Sequence, residues 1–355
     1  MKRSVLLLPL LLHTFLNAQF LQAPPDGDNQ HCHVSQSVSN VATVTVDYHS
    51  PDVDGRRGAI WGHLVPYGQV WRAGANENTT IEFSANATIG GHAVPAGKYG
   101  FFAIPGEREW TLILSKTNSA WGAFAYEESE DLLRFTAVPQ KSEYSEYLSY
   151  EFTERKPSYT ALALKWEDLS VSFRIEFAAY ELVIESFKAQ LKGEIGLFNW
   201  EGCHQAAQYC LDHGVFPEQG LEWARQSVQV KPQFTNLLTR SKLEQALGDA
   251  EAAKSSYELA IKMATPNDLY YHGRALLGEE KTEEAMAIFR QNHARYGDLF
   301  LTQLGLARGY RAKQDYAAAL QHFKAALQLA ELPRQRTSME RFIAEMEAKL
   351  AEGDK

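Results

Sequence analysis

The sequence predicts two domains of different class: an antiparallel β-sandwich or jelly-roll-like domain, followed by an α-helical repeat solenoid. Three observations carry this. Apolar residues alternate with period two from about residue 40 to 178, they recur with period 3.6 after that, and small residues return in the second half at intervals of 33, 32 and 34. At 355 residues the chain is long for one domain and comfortable for two, and its 45% hydrophobic and 22% charged content suits a core in each.

The N-terminus has the pattern of a cleaved secretory signal over residues 1–18. Lys2-Arg3 is a basic start, "SVLLLPLLLHTFL" is an apolar run too short to span a bilayer comfortably, and Ala18 offers a small residue at the cut before Gln19. The protein is therefore expected outside the cytoplasm, periplasmic or extracellular, with no membrane span and, lacking a Cys at the cut, no lipid anchor. Residues 19–36, rich in Gln, Pro, Asp and Asn, read as a linker. It includes His31-Cys32-His33, three metal-capable side chains that an extended chain points in different directions, so no metal site is expected there. Cys203 and Cys210 lie seven apart in a helical pattern, about 10 Å along the axis at 1.5 Å per residue. That is too far for a disulfide within one helix, and both read as core residues.

Residues 37–178 form the β domain. Val44, Val46 and Tyr48 alternate with Thr43, Thr45 and Asp47, and Trp110, Leu112 and Leu114 with Thr111, Ile113 and Ser115. Leu162, Leu164 and Trp166 make one run and Val171, Phe173, Ile175 and Phe177 the next, with Glu167-Asp168-Leu169 expected as the hairpin turn between them. Gly90-Gly91, Pro95-Ala96-Gly97 and Pro105-Gly106 punctuate the rest. No strand is followed by a long helix, which argues against a parallel α/β sheet.

Residues 179–350 form the helical domain. Tyr180, Val183, Ile184, Phe187 and Leu191 share one helix face. Gly220, Ala253, Ala285 and Ala319 set the longer period, and Tyr257, Phe289 and Phe323 follow the three alanines four residues later. This resembles the tetratricopeptide repeat, in which small residues sit where two helices touch. The resemblance implies a concave surface for a protein or peptide partner.

The candidate site lies in "VWRAGANENTTIEF", residues 70–83, at the end of some thirty residues rich in Gly, Pro and aromatics between two strands. Connections of that length are usually functional or disordered, and Trp61, Tyr67 and Trp71 argue against disorder. "GHLVPYGQVWRAGANENTTIEFS", "VPAGKYGFFAIPG", "WTLILSK" and the Trp121-Gly122 pair resemble the bacterial family called domain of unknown function 2911, over roughly residues 35–178. That resemblance implies export and no assigned reaction. One departure is Ser50, where many members carry an Arg.

Arg72 offers a planar charge suited to a carboxylate or phosphate, and Asn76 and Asn78 tolerate left-handed turns. Glu77 is expected as the partner of Arg72 or as a general base. Trp71, Arg56 and Trp121 complete the expected small-molecule site, which equally fits a purely structural clasp. No catalytic, phosphate-binding, metal or cofactor motif is present. The net charge of −9, made more negative by loss of Lys2 and Arg3, excludes a general nucleic-acid binder. The expected function is an exported, non-catalytic binding or scaffold protein. The alternative is an extracytoplasmic hydrolase of a saccharide or peptide with Glu77 or Asp47 as base. Mass spectrometry of exported material is expected to find Gln19 at the N-terminus, and material beginning at Met1 would refute the leader.

Overall fold

The computed structural model describes residues 29–353, so the leader reading falls outside the described residues. The chain divides into two compact units after Leu182.

The first unit is built of strands β1 (Gln30–Val38), β2 (Ala42–Ser50), β3 (Thr80–Phe83), β4 (Ala87–Ile89), β5 (His92–Val94), β6 (Gly97–Ile104), β7 (Trp110–Ser115), β8 (Asp131–Ala137), β9 (Gln140–Arg155) and β10 (Tyr159–Phe177). They form two antiparallel sheets, one ordered β1-β2-β3-β6-β7-β8 and the other β5-β4-β10-β9. The alternation of β2 works as read: Ala42, Val44, Val46 and Tyr48 are buried and the residues between them are half-buried. They share one core with Trp110, Leu112 and Leu114 of β7 and Leu162, Leu164 and Trp166 of β10. Packed against it, the half-buried Trp61 meets Trp71 and the core residues Trp110 and Trp166 edge-on, and Trp71 stacks on Trp166 with ring centres 6.1 Å apart. Aromatic rings prefer these offset and edge-to-face arrangements.

Two sequence expectations change here. The linker reading of residues 19–36 fails over its described second half, because β1 pairs in register with β2 from Gln30 opposite Ser50 to Val38 opposite Ala42. Its polar side chains face outward on an edge strand, and that misled the composition argument. The hairpin at Glu167-Asp168-Leu169 is also absent: β10 runs straight through as one strand. The buried set passes from even positions (Leu162, Leu164, Trp166) to odd ones (Val171, Ile175, Phe177). A one-residue change of phase is what a bulge produces. Glu167 takes a left-handed backbone at φ 55°, and the pairing with β9 shifts there. The bulge is fastened on both sides: the Gly58 amide donates to the Glu167 carboxylate, and Arg57 makes a two-pronged contact with Asp168 at 2.9 and 3.1 Å.

After α1 (Ala179–Gln190) and the short α2 (Glu194–Phe198), the second unit is a succession of paired helices. These are α3 (Trp200–His213) with α4 (Pro217–Val230), α5 (Phe234–Ala246) with α6 (Ala250–Met263), α7 (Pro266–Gly278) with α8 (Thr282–Tyr296), and α9 (Phe300–Ala312) with α10 (Tyr316–Gln328). The long α11 (Pro333–Gly353) closes the unit. The helix starts were written in the sequence: Asp249, Thr265 and Asp315 each cap a helix by accepting a backbone amide. Gly220, Ala253, Ala285 and Ala319 all fall in the second helix of a pair and are buried.

Their purpose is clearest around Phe289, which is fully buried. A Cβ added at Gly305 would lie 2.6 Å from its ring, and one at Gly309 would lie 3.2 Å away. Gly273 is closer still. Two neighbouring helices, α7 and α9, thus lay bare backbone against one ring. Overpacking a filled core costs about 1–3 kcal/mol. Gly305→Ala is therefore expected to destabilise the helical unit by about that amount in urea unfolding, and Phe289→Leu in the same chain should recover part of the loss. An unchanged midpoint for Gly305→Ala would refute the close approach.

Candidate ligand site on the β domain

The connection between β2 and β3 is long but closely tied. Trp71 exchanges backbone hydrogen bonds with Ala103, the Ala75 amide donates to His49, and the Thr79 amide to Arg72. Trp71 Nε1 donates to the Gly74 carbonyl at 3.2 Å. Gly74 has no room for a side chain: an added Cβ would meet Thr79 Oγ1 at 2.8 Å and the His49 carbonyl at 3.0 Å.

Ala73, fully buried, sits in the left-handed region at φ 52°, a conformation that L residues adopt only at some cost. Its carbonyl is held by two hydroxyls, Tyr150 at 2.7 Å and Thr79 at 3.0 Å. Burial pushes the Tyr150 hydroxyl well above its ordinary pKa, so it remains a donor. Asn76 also takes a left-handed backbone (φ 53°), as expected of an Asn in such a turn, and its side chain donates to the Asn29 carbonyl. Asn78 is buried and clasps the loop before Trp121: its Oδ1 accepts from the Ala120 amide at 2.8 Å and its Nδ2 donates to Thr117.

The expected site residues part into two cavities. Glu77 and Trp121 line one of about 640 Å³, together with His31, Asp47, His49 and Lys98. Arg72, Trp71 and Arg56 line another of about 530 Å³, with Asp52, Gly74 and Trp166. Arg72 therefore does not pair with Glu77. The carboxylate of Glu77 instead meets His49 Nδ1 at 3.4 Å, and Glu77 and Trp121 bridge through their backbones. Between Arg72 and Glu77 lie the left-handed turn at Ala73 and the tightly packed Gly74, and the Arg72 guanidinium reaches the neighbourhood of Gly122 and His49 without meeting the Glu77 carboxylate. Arg56 is occupied locally, donating to the carbonyls of Val53 and Asp52 and pairing with the Asp52 carboxylate at 3.0 Å. Ser50, at the position where an Arg was expected, donates to the Leu148 carbonyl at 2.7 Å.

The first cavity is lined by one residue of the stretch read as a linker, His31. His31 and His33, two apart on β1, point to the same face, where Asp47 accepts from His33 Nδ1 at 2.8 Å and lies 3.7 Å from His31. Burial raises the Asp47 pKa, but the His33 hydrogen bond and the charges of Lys98, His33 and His31 outweigh it and hold the carboxyl below its usual range. Burial likewise holds His49 below the ordinary imidazole value despite Glu77, with His31 and Arg72 adding to the effect. Among the described residues no group of three or more His, Cys, Asp or Glu is arranged to hold a metal ion. The period of two in "QHCHVSQSV" was the signal that could have placed these histidines on a strand.

Arg72 differs from every other charge in this region. It is half-buried, its Nε is shut off from solvent without an acceptor, and among the described residues it has no ion pair. Burial lowers its pKa and no carboxylate opposes that. The clasp, then, is made by backbone, hydroxyls and Asn78; Arg72 contributes its carbonyl, and its side chain takes no part. Losing one such hydrogen bond costs about 1 kcal/mol. Tyr150→Phe is expected to lower the stability of the β unit by about that much in urea unfolding, and Tyr150→Phe with Thr79→Val by clearly more, since the Ala73 carbonyl is then bare. Wild-type stability in the double variant would show that the carbonyl needs neither hydroxyl.

Residues 29–175 match the family model described as a protein of unknown function, DUF2911. No curated protein matches the chain. Among solved structures it is similar to that of MamA, 16% identical with a TM-score of 0.28 over 42% of this chain and 88% of that one. It is similar also to pilF of Pseudomonas aeruginosa, 18% identical with a TM-score of 0.30 over 43% and 69%. A third is a tetratricopeptide repeat protein from Parabacteroides merdae, 18% identical with a TM-score of 0.29 over 49% and 72%. At such scores the likeness carries no argument, and the repeat architecture rests on the helix pairs and small-residue spacing of the chain itself. The β unit is a DUF2911 domain, and a tetratricopeptide-like helical solenoid follows it.

Proposed function

We propose that the protein is an exported, non-catalytic scaffold whose helical repeats dock a protein or peptide partner. The observation that carries this reading is a cavity of about 600 Å³ framed by three successive inter-repeat turns. Thr265–Asn267 at the start of α7, Asp298–Leu301 at the start of α9, and Leu329, Glu331 and Gln335 before and at the start of α11 lie around it. Leu299 and Leu329 stay exposed there, at 43% and 37%, with Asp298 and Glu331 beside them. An apolar floor with acidic neighbours suits a segment that presents an apolar side chain flanked by basic ones. Export rests on the leader pattern of residues 1–18. The non-catalytic reading is supported by the β domain: Arg72 and Glu77 do not share a cavity, so the hydrolase constellation expected of them is not assembled. Asp47 is engaged by His33 and sits close to Lys98.

The test is a photo-crosslinking amino acid placed at Leu299 in producing cells. A discrete adduct is expected, with an apolar, basic segment of the partner at the link, and none from the same probe at Glu251, which is exposed on α6. Identical adducts from both positions, or none from Leu299, would sink the docking reading.

A further inference from the structure

The two cavities of the β domain differ in one physical respect. In the larger, each carboxylate has a neighbour: Asp47 has His33 and Lys98, and Glu77 has the His49 imidazole. In the smaller, one charge is left without a partner. Asp52 and Arg56 satisfy each other; Asp54, which also lines the cavity, is exposed, and Arg72 forms no ion pair with it or with any other described carboxylate. Two lining residues also carry donors that are shut off from solvent and have no acceptor, Arg72 Nε and Trp166 Nε1. Buried donors without acceptors are uncommon and costly. Shut off in this way, neither atom meets a ligand, but the rest of the Arg72 guanidinium has no hydrogen-bond or ion-pair partner among the described residues, and Arg72 lines a cavity of about 530 Å³, large enough to admit a small molecule.

We infer that this cavity is a binding site for a small organic carboxylate, held by the terminal nitrogens of the Arg72 guanidinium. The deficit is on the donor side, so the missing group is an acceptor. One uncompensated guanidinium matches one negative charge, and its fork fits the two oxygens of a carboxylate. A phosphate dianion calls for a second cation, and Arg56 is committed to Asp52 and to two backbone carbonyls. The site is also pre-formed. The backbone on both sides of Arg72 is fixed by the Trp71–Ala103 exchange, the Thr79 amide and the doubly held Ala73 carbonyl, so binding does not have to order the loop. This inference is independent of the helical docking surface and stands or falls without it.

The experiment measures thermal unfolding of the full chain with acetate, benzoate and glycine at constant ionic strength, with chloride and inorganic phosphate as controls. A ligand of the folded state raises the melting temperature progressively with its concentration. The wild-type chain is expected to be stabilised by at least one carboxylate and by neither control. Arg72→Met, which keeps the bulk of the side chain and removes a charge that has no partner, is expected to melt at or above the wild-type temperature and to lose the response. Arg72→Lys is expected to fold and to respond more weakly. No carboxylate response in the wild type would overturn the inference. So would an equal response in Arg72→Met, or stabilisation by phosphate as strong as by the carboxylates. A sharply lowered melting temperature for both Arg72 variants would make Arg72 a structural pin and overturn it as well.

Discussion

The β domain is organised around a single carbonyl oxygen. Ala73 is buried and left-handed, and its carbonyl is held by Tyr150 from β9 and by Thr79 from the entrance to β3. Remove that anchorage and the turn has no reason to persist, because a left-handed Ala costs on the order of 1–3 kcal/mol unless its surroundings impose it. Everything of functional interest follows from this turn. It lies between Arg72 and Glu77, which line different cavities, and it precedes Asn78, which holds the loop that carries Trp121. The strained residue has no side-chain chemistry of its own. It fixes the directions in which its neighbours point.

The electrostatic contrast between the two cavities follows from that geometry. Arg56 and Asp52, four residues apart at a turn, neutralise each other; an extended chain would hold Arg72 and Glu77 about 17 Å apart on opposite faces, and the turn between them does not bring them into an ion pair either. Instead Glu77 is drawn to His49 and to the edge strand that brings in His31 and His33, while Arg72 is left facing its cavity. Desolvating a guanidinium without a partner is unfavourable. A protein that keeps such a group on a rigid backbone has built a site that an anion can complete.

The helical unit depends on the opposite device. There the decisive residues are those with almost no side chain. Gly273, Gly305 and Gly309 admit the ring of Phe289, and the buried alanines let the second helix of each pair lie close to its neighbours. Buried polar contacts add specificity: Glu244, wholly buried, accepts from Arg240 at 2.7 Å and from Ser256 at 2.6 Å, joining α5 to α6. The packing leaves the turns between repeats free to carry exposed leucines such as Leu299.

The sequence by itself determined the two-part architecture, because both periods are local properties. Alternation in β2 and β7, and small residues every 32 to 34 positions, can be read without knowing what packs against what. It also determined that Asn76 sits in a left-handed turn and that Cys203 and Cys210 are buried in one helix. Only the tertiary structure decided the rest. A polar edge strand such as β1 has the composition of a linker and becomes a strand through its pairing with β2. The bulge at Glu167 resembles a turn until the change of phase in β10 is matched to a continuous core. The fate of Arg72 was the least legible of all. Glu77 lies five positions on, close enough in sequence to suggest a pair, and between them stands a left-handed Ala held by a hydroxyl 77 residues away. Pairwise charge patterns are visible in a sequence, but the direction in which a buried backbone turns depends on contacts that the sequence does not place next to one another.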